Sequence, residues 1–184
     1  ASNVGVEILK SGGNAIDAAI ATGFALSVVH PGAGNIGGGG FMVIRLAGGT
    51  VNTIDFREVA PLGAYQNMFL DDSMNVIDDK SWNTSWAAGV PGSVAGFGMA
   101  HKKYSTSNWK DLILPAVELA RNGFPLDLQN INDLNNPYYE EYLSNDSEAE
   151  KIFVKSDIYE LNEIFFQKDL GKTLHRIAES GWQE

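Results

Sequence analysis

An α+β fold is predicted for this chain of 184 residues, and three observations predict it. The stretch NAIDAAIATGFALSVVH, residues 14–30, is apolar on almost every side, which marks a buried helix. Two β-rich runs then flank Gly48-Gly49, a hairpin signal. After residue 108 the pattern returns to helical spacing, most clearly in NWKDLILPAVELARNGF and QKDLGKTLHRIAESGW.

The elements follow in order. ASNVGVEILKSGG reads as a short helix with Val4, Ile8 and Leu9 on one side and Gly12-Gly13 as its stop. Asn14 is placed to cap the next helix, where Ala15, Ala18, Ala19 and Gly23 let neighbouring backbones come close, and Pro31 ends it. In the run from Phe41, both faces are apolar (Phe41 and Val43; Met42 and Ile44), so an inner strand is expected. In the second run Ile54 and Phe56 share one face, and Asp55 and Arg57 the other, because side chains alternate. A two-residue turn at Gly48-Gly49 sets Ala47 opposite Thr50 and Val43 opposite Ile54.

Residues 62–82 form a polar connection with room for a short helix. WAAGV, residues 86–90, is strand-like, and Pro91 stands at a helix start. The helix at 108–124 is amphipathic, with a kink expected at Pro115 and a stop at Gly123. Residues 127–143 and 148–161 read as short acidic surface helices. The last helix carries Leu170, Leu174, Ile177 and Ala178 on its apolar side. The sequence turns more polar after about Phe124, but no linker divides it. Residues 1–184 are therefore expected to be a single, partial domain, since both ends read as though cut from something longer.

Composition narrows the function. A net charge of −10 argues against nucleic acid as a partner. The absence of cysteine removes disulfides and thiolate metal sites and leaves the compartment open. No apolar run approaches the roughly 18 residues of a membrane span, and no signal-peptide pattern is present. His30, His101 and His175 are scattered, the last two at positions expected to be exposed on helices, so no metal is expected. Asp71-Asp72 and Asp78-Asp79 read as solvated loop charges. Asn83-Thr84-Ser85 and Asn145-Asp146-Ser147 match a glycosylation tripeptide that is common by chance.

PGAGNIGGGGF, residues 31–41, contains G-x-G-x-x-G at Gly32, Gly34 and Gly37. A dinucleotide loop follows a strand and opens a helix, so that phosphate meets a helix N-terminus. Here the order is helix, glycines, strand, and no Lys-Ser or Lys-Thr follows. No nucleotide and no other cofactor is expected. The glycines are read as supplying positive φ and close backbone approach.

Arg57, in IDFREVAP, stands out. A guanidinium at a buried strand end needs a partner and offers a rigid fork suited to a carboxylate. That partner is either an internal acid, Asp55 or Glu58, or the carboxylate of a substrate.

Four stretches together resemble the gamma-glutamyltranspeptidase family: EILKSGGNAIDAAIATGFALSVVHPGAGNIGGGGFMVIRL, IDFREVAP, AAGVPGSVAGF and LILPAVELARNGF. The resemblance is strong to about residue 124 and looser beyond. It implies an N-terminal nucleophile hydrolase fold with αββα layers, of which this chain would be the N-terminal portion of a large subunit. It implies an enzyme, made as a self-cleaving precursor, that transfers the gamma-glutamyl group of glutathione and related amides to water or an amine. A threonine at the start of the small subunit would be the nucleophile, with its own amino group as base. Arg57 matches the arginine that binds the substrate α-carboxylate. Neither the nucleophile nor the oxyanion-hole glycines fall within this chain, so no catalytic residue is assigned and the chain alone is expected to be inactive. The missing remainder of the large subunit and the small subunit are the implied partners, and the periplasm or exterior the implied location. A cephalosporin acylase-like or poly-gamma-glutamate-processing relative, and a non-catalytic binding module, are the alternatives.

Overall fold

A computed structural model describes residues 1–183. The chain forms two compact units, residues 1–35 with 97–184 and residues 36–96. Helix and strand mix as an α+β fold requires.

In the first unit, α1 (Ser2–Lys10) and α2 (Ala15–Val29) meet at a tight turn. Gly12 takes φ +98°, the left-handed conformation that glycine adopts without a side-chain clash. Asn14 then caps α2, as its sequence position predicts. Its side chain accepts from the backbone of Ile16 and Asp17 at 2.8 and 3.1 Å, and Asp17 Oδ2 accepts from the Asn14 N–H at 2.8 Å. This reciprocal pair is a capping box.

Helix α2 is the centre of the unit, with Ile20, Phe24 and Val28 fully buried. It packs against α1 and against α4 (Trp109–Asn122), and α4 packs against α8 (Lys168–Ser180). The Phe24 ring meets Phe97 and Trp109 edge-on, at 5.1 and 5.5 Å between centroids. Trp109 Nε1 donates to the Ile177 carbonyl at 2.9 Å, tying α4 to α8. Helix α2 is not covered all round: Ala15, Ala19 and Leu26 form an exposed stripe.

Pro115 lies inside α4, and Gly123, at φ +82°, ends it. A two-residue ladder that the sequence does not announce follows: β3 (Phe124–Pro125) pairs antiparallel with β4 (Ile164–Phe165). The acidic stretch folds as α5 (Leu128–Leu134), α6 (Pro137–Ser144) and α7 (Ser147–Phe153). The last of these is shorter than expected, because Val154 is already extended.

The second unit is built on the hairpin of β1 (Phe41–Arg45) and β2 (Val51–Asp55). The hairpin is as expected but its register is not. Met42 opposes Ile54 and Val43 opposes Thr53. Leu46 N–H donates to the Thr50 carbonyl at 2.9 Å, and Gly49 N–H to the Leu46 carbonyl at 2.9 Å. The loop is therefore Ala47-Gly48-Gly49. A two-residue type I′ turn needs positive φ at both centres, whereas here only Gly49 has it, at +89°. The one-residue slip follows from that.

The expectation of an inner strand is corrected as well. Met42 is half-buried and Ile44 and Ile54 are buried, but Phe41 and Val43 on the other face are 69% and 74% exposed. Residues 62–82 form turns and an isolated Leu70–Val76 bridge rather than a helix. The strand-like WAAGV begins in a 3-10 turn, Ser85–Ala87, because Thr84 caps it by accepting the Trp86 N–H at 3.2 Å; only Val90 joins a bridge, to Val59. Helix α3 (Ser93–Tyr104) carries the chain back into the first unit.

Candidate functional site

The glycine run acts on the residue before Arg57. Phe56 extends the hairpin by one pair, donating to and accepting from Gly40 at 3.0 and 3.3 Å. A Cβ on Gly39 or Gly92 would overlap the Phe56 carbonyl oxygen, and one on Gly96 would overlap its ring. Three glycines thus let two backbone segments, the one before β1 and the start of α3, close on Phe56. None of the glycines from 32 to 40 has positive φ, so of the two roles expected for them only close approach holds.

The glycine loop also closes on the start of α3. The Gly38 carbonyl accepts from the N–H groups of Gly92 and Ser93 at 2.8 and 3.0 Å, at the start of α3. Two of the N–H groups that a helix start leaves free are thus engaged by the glycine loop itself.

Arg57 leaves the hairpin at this clamped point. Its N–H donates to Asp55 Oδ1 at 3.0 Å, which shapes the exit of the strand. Its side chain is 57% exposed, so the expected buried position is corrected. Its Nε lies 3.1 Å from Glu58 Oε2. Of the two internal acids considered, Glu58 takes the side chain and Asp55 only the main chain. Beside them lies an open cavity of about 400 Å³, lined by Arg57, Glu58, Pro61, Met68, Phe69 and Trp86 among others.

The other candidates sit apart. His30 is the C-cap of α2. His101 and His175 are half-buried rather than exposed: His101 Nε2 lies 2.9 Å from the Ser107 carbonyl and its ring meets Trp109 edge-on. Among the described residues no group of three potential ligands could hold a metal. Asp71 is a turn former, accepting from the N–H groups of Ser73 and Asn75 at 2.8 and 2.9 Å, and these bonds lower its pKa. Thr84 and Asp146, in the two glycosylation tripeptides, are helix caps.

One buried acid carries more than its sequence context suggests. Asp17 is fully buried, which by itself would raise its pKa; hydrogen bonds from Ser105, Thr106 and the Asn14 N–H outweigh burial and bring it to about 2. Asn14 at its helix start signals the cap, but nothing local signals partners 88 and 89 residues away.

Comparison with known proteins places this arrangement. The family model described as Gamma-glutamyltranspeptidase matches residues 1–184. The glutathione hydrolase proenzyme of Escherichia coli (strain K12) is 46% identical over 185 residues, covering 100% of this chain and 32% of that protein. The crystal structure of Helicobacter pylori gamma-glutamyltranspeptidase superposes with a TM-score of 0.93 at 48% identity, over 98% of this chain and 52% of that one. Cephalosporin acylase from Bacillus halodurans, at 23% identity and a TM-score of 0.71, is a likeness of fold alone. The chain spans about a third of the length of the curated relatives it matches. The fold class is the N-terminal nucleophile hydrolase type, α+β, that the sequence implied.

Proposed function

This chain belongs to the gamma-glutamyltranspeptidase family, and on that premise we propose that it supplies the carboxylate clamp of an enzyme that moves the gamma-glutamyl group of glutathione, or of a related amide, to water or to an amine. The observation that carries the reading is the Arg57 guanidinium, half exposed at the end of a clamped hairpin and beside an open cavity.

A gamma-glutamyl donor has a free α-carboxylate. A guanidinium can hold it by two parallel hydrogen bonds in one plane, which fixes orientation as well as charge. The scissile amide lies at the far end of the same small molecule. Fixing one end brings the other to a set place, and orientation of this kind lowers the barrier to attack. The glycine packing around Phe56 keeps the base of the clamp from shifting.

This reading assigns no nucleophile to the chain. The attacking threonine, and the groups that would hold the oxyanion, lie outside these 184 residues. The partners are then the remainder of the large subunit and the small subunit. Glutathione is the proposed donor because the E. coli relative is named a glutathione hydrolase. The periplasm or exterior is the proposed location; among the described residues no helix is long and apolar enough to cross a membrane.

The test is donor use by the full-length enzyme after substitution of Arg57, measured as p-nitroaniline release from gamma-glutamyl-p-nitroanilide. A clear loss in kcat/KM supports the clamp, and an unchanged value overturns it.

A further inference from the structure

We infer that Glu58 is a positioning residue for Arg57: its carboxylate occupies the guanidinium Nε and leaves the two Nη groups to the substrate carboxylate. The inference rests on the clamp reading above. A guanidinium can grip a carboxylate side-on, through Nε and one Nη, or end-on, through both Nη. Glu58 Oε2 stands 3.1 Å from Nε as an ion pair, so its charge lies against the side-on edge. The end-on edge is the one the substrate meets, and the direction of its approach is set by an acid it never touches.

Glu58 is the fixed member of the pair. Its Oε2 is buried and, among the described residues, makes no hydrogen bond of good geometry, so the Arg57 charge is its compensation. The backbone of Gly89 lies against it: a Cβ there would stand 2.9 Å from the Glu58 Cβ. The next residue, Val59, is held on both sides of its peptide by Val90, at 2.8 and 3.3 Å. Arg57, by contrast, is more than half exposed. A long side chain free to swing loses rotamer freedom when it grips a ligand, and anchoring Nε beforehand reduces that loss. The contact is an ion pair without hydrogen-bond geometry, and it acts on Arg57 through its charge.

The test uses the full-length enzyme. Glu58→Gln keeps the shape and removes the charge. It should raise KM for gamma-glutamyl-p-nitroanilide about tenfold, the loss of one charge-assisted contact of about 1.4 kcal/mol, with kcat little changed. The inhibition constant of L-glutamate should rise in parallel. That of 4-aminobutyrate, which lacks the α-carboxylate, should stay put, whereas a merely structural role would weaken both. Equal weakening of the two inhibitors overturns the positioning role. So does an unchanged KM beside an Arg57→Lys enzyme whose KM is raised, and there the clamp stands. If Arg57→Lys also leaves KM unchanged, the clamp reading falls with it. Should Glu58→Gln not fold, Gly89→Ala decides: it displaces Glu58 from behind, and an unchanged L-glutamate constant overturns the inference.

Discussion

Asp17 Oδ2 accepts the hydroxyl of Thr106 at 2.7 Å, so the cap of α2 is also the anchor of the turn that follows α3. Ser105 donates to the other oxygen of the same carboxylate, and Asn14 Nδ2 donates to the Tyr104 carbonyl at 2.8 Å. One short stretch, 104–106, is thus tied to one helix start through three consecutive residues.

This knot makes stability depend on pH in a known direction. The folded pKa of Asp17, about 2, is below its ordinary value of 3.8. The ionised form is favoured by folding, so the stabilisation is fully present above about pH 4 and is lost as pH falls toward 2; it amounts to about 2 kcal/mol. Asp17→Ala should lower the stability of the full-length enzyme at neutral pH by about 3 kcal/mol, since it strands buried donors as well. The gap between wild type and variant, followed by denaturant unfolding, should narrow below pH 4. A gap that stays constant down to pH 2.5 counts against this account.

The hairpin turn separates its two glycines. Gly49 has φ +89° and Gly48 does not have positive φ, and neither has an atom near the place of a Cβ. Gly49→Ala should therefore cost about 1–2 kcal/mol from backbone conformation alone. Gly48→Ala should be nearly neutral. Equal losses in melting temperature for the two would restore the two-residue turn that the sequence suggests.

Close approach sorts the glycines around Phe56 in the same way. A Cβ on Gly37 meets nothing within 4 Å, while one on Gly92 overlaps the Phe56 carbonyl. Gly37→Ala should leave stability within about 0.5 kcal/mol, and Gly92→Ala should destabilise by several times that. Titration of the full-length enzyme with NAD or ATP should leave the melting temperature unchanged, because the N–H groups that start α3 already donate to Gly38. A rise with either nucleotide would reopen the phosphate reading.

Much of this was legible in the residues, for reasons that differ by element. Asn14 announces α2 because a cap is a local event, and Gly123 announces the end of α4 likewise. The β3–β4 ladder was not legible: Phe124 and Phe165 are forty-one residues apart, and two-residue strands carry no periodicity. WAAGV reads as a strand by composition, yet Thr84 captures the chain into a 3-10 turn first. The exposed faces of β1 and α2 read as buried in the sequence because apolar residues show that a side can be covered and do not show by what. At the site, Arg57 and its two possible acids could be named from IDFRE, but their division of labour could not. That Asp55 takes the main chain and Glu58 the guanidinium depends on where β2 ends, and Gly39, Gly92 and Gly96 set that from a distance.

Arg57 is the residue on which the proposed function turns. Lys at this position keeps the charge but offers it as a point, without the planar fork that orients a carboxylate. Losing a hydrogen bond to a charged group costs about 1.5–3 kcal/mol. Each 1.36 kcal/mol is a factor of ten, so kcat/KM should fall roughly ten- to a hundredfold in Arg57→Lys and further in Arg57→Ala. Stability should change little in Arg57→Lys, which keeps a positive charge beside Glu58, and should fall in Arg57→Ala, which leaves the buried Glu58 oxygen without that charge. Maturation by self-cleavage should survive in Arg57→Lys, since no substrate carboxylate takes part in it. Donor kinetics, melting temperature and the subunit pattern on a denaturing gel together separate the outcomes. A folded, cleaved Arg57→Ala enzyme whose kcat/KM lies within twofold of wild type would reduce Arg57 to the structural partner of Glu58 and remove the clamp from this chain.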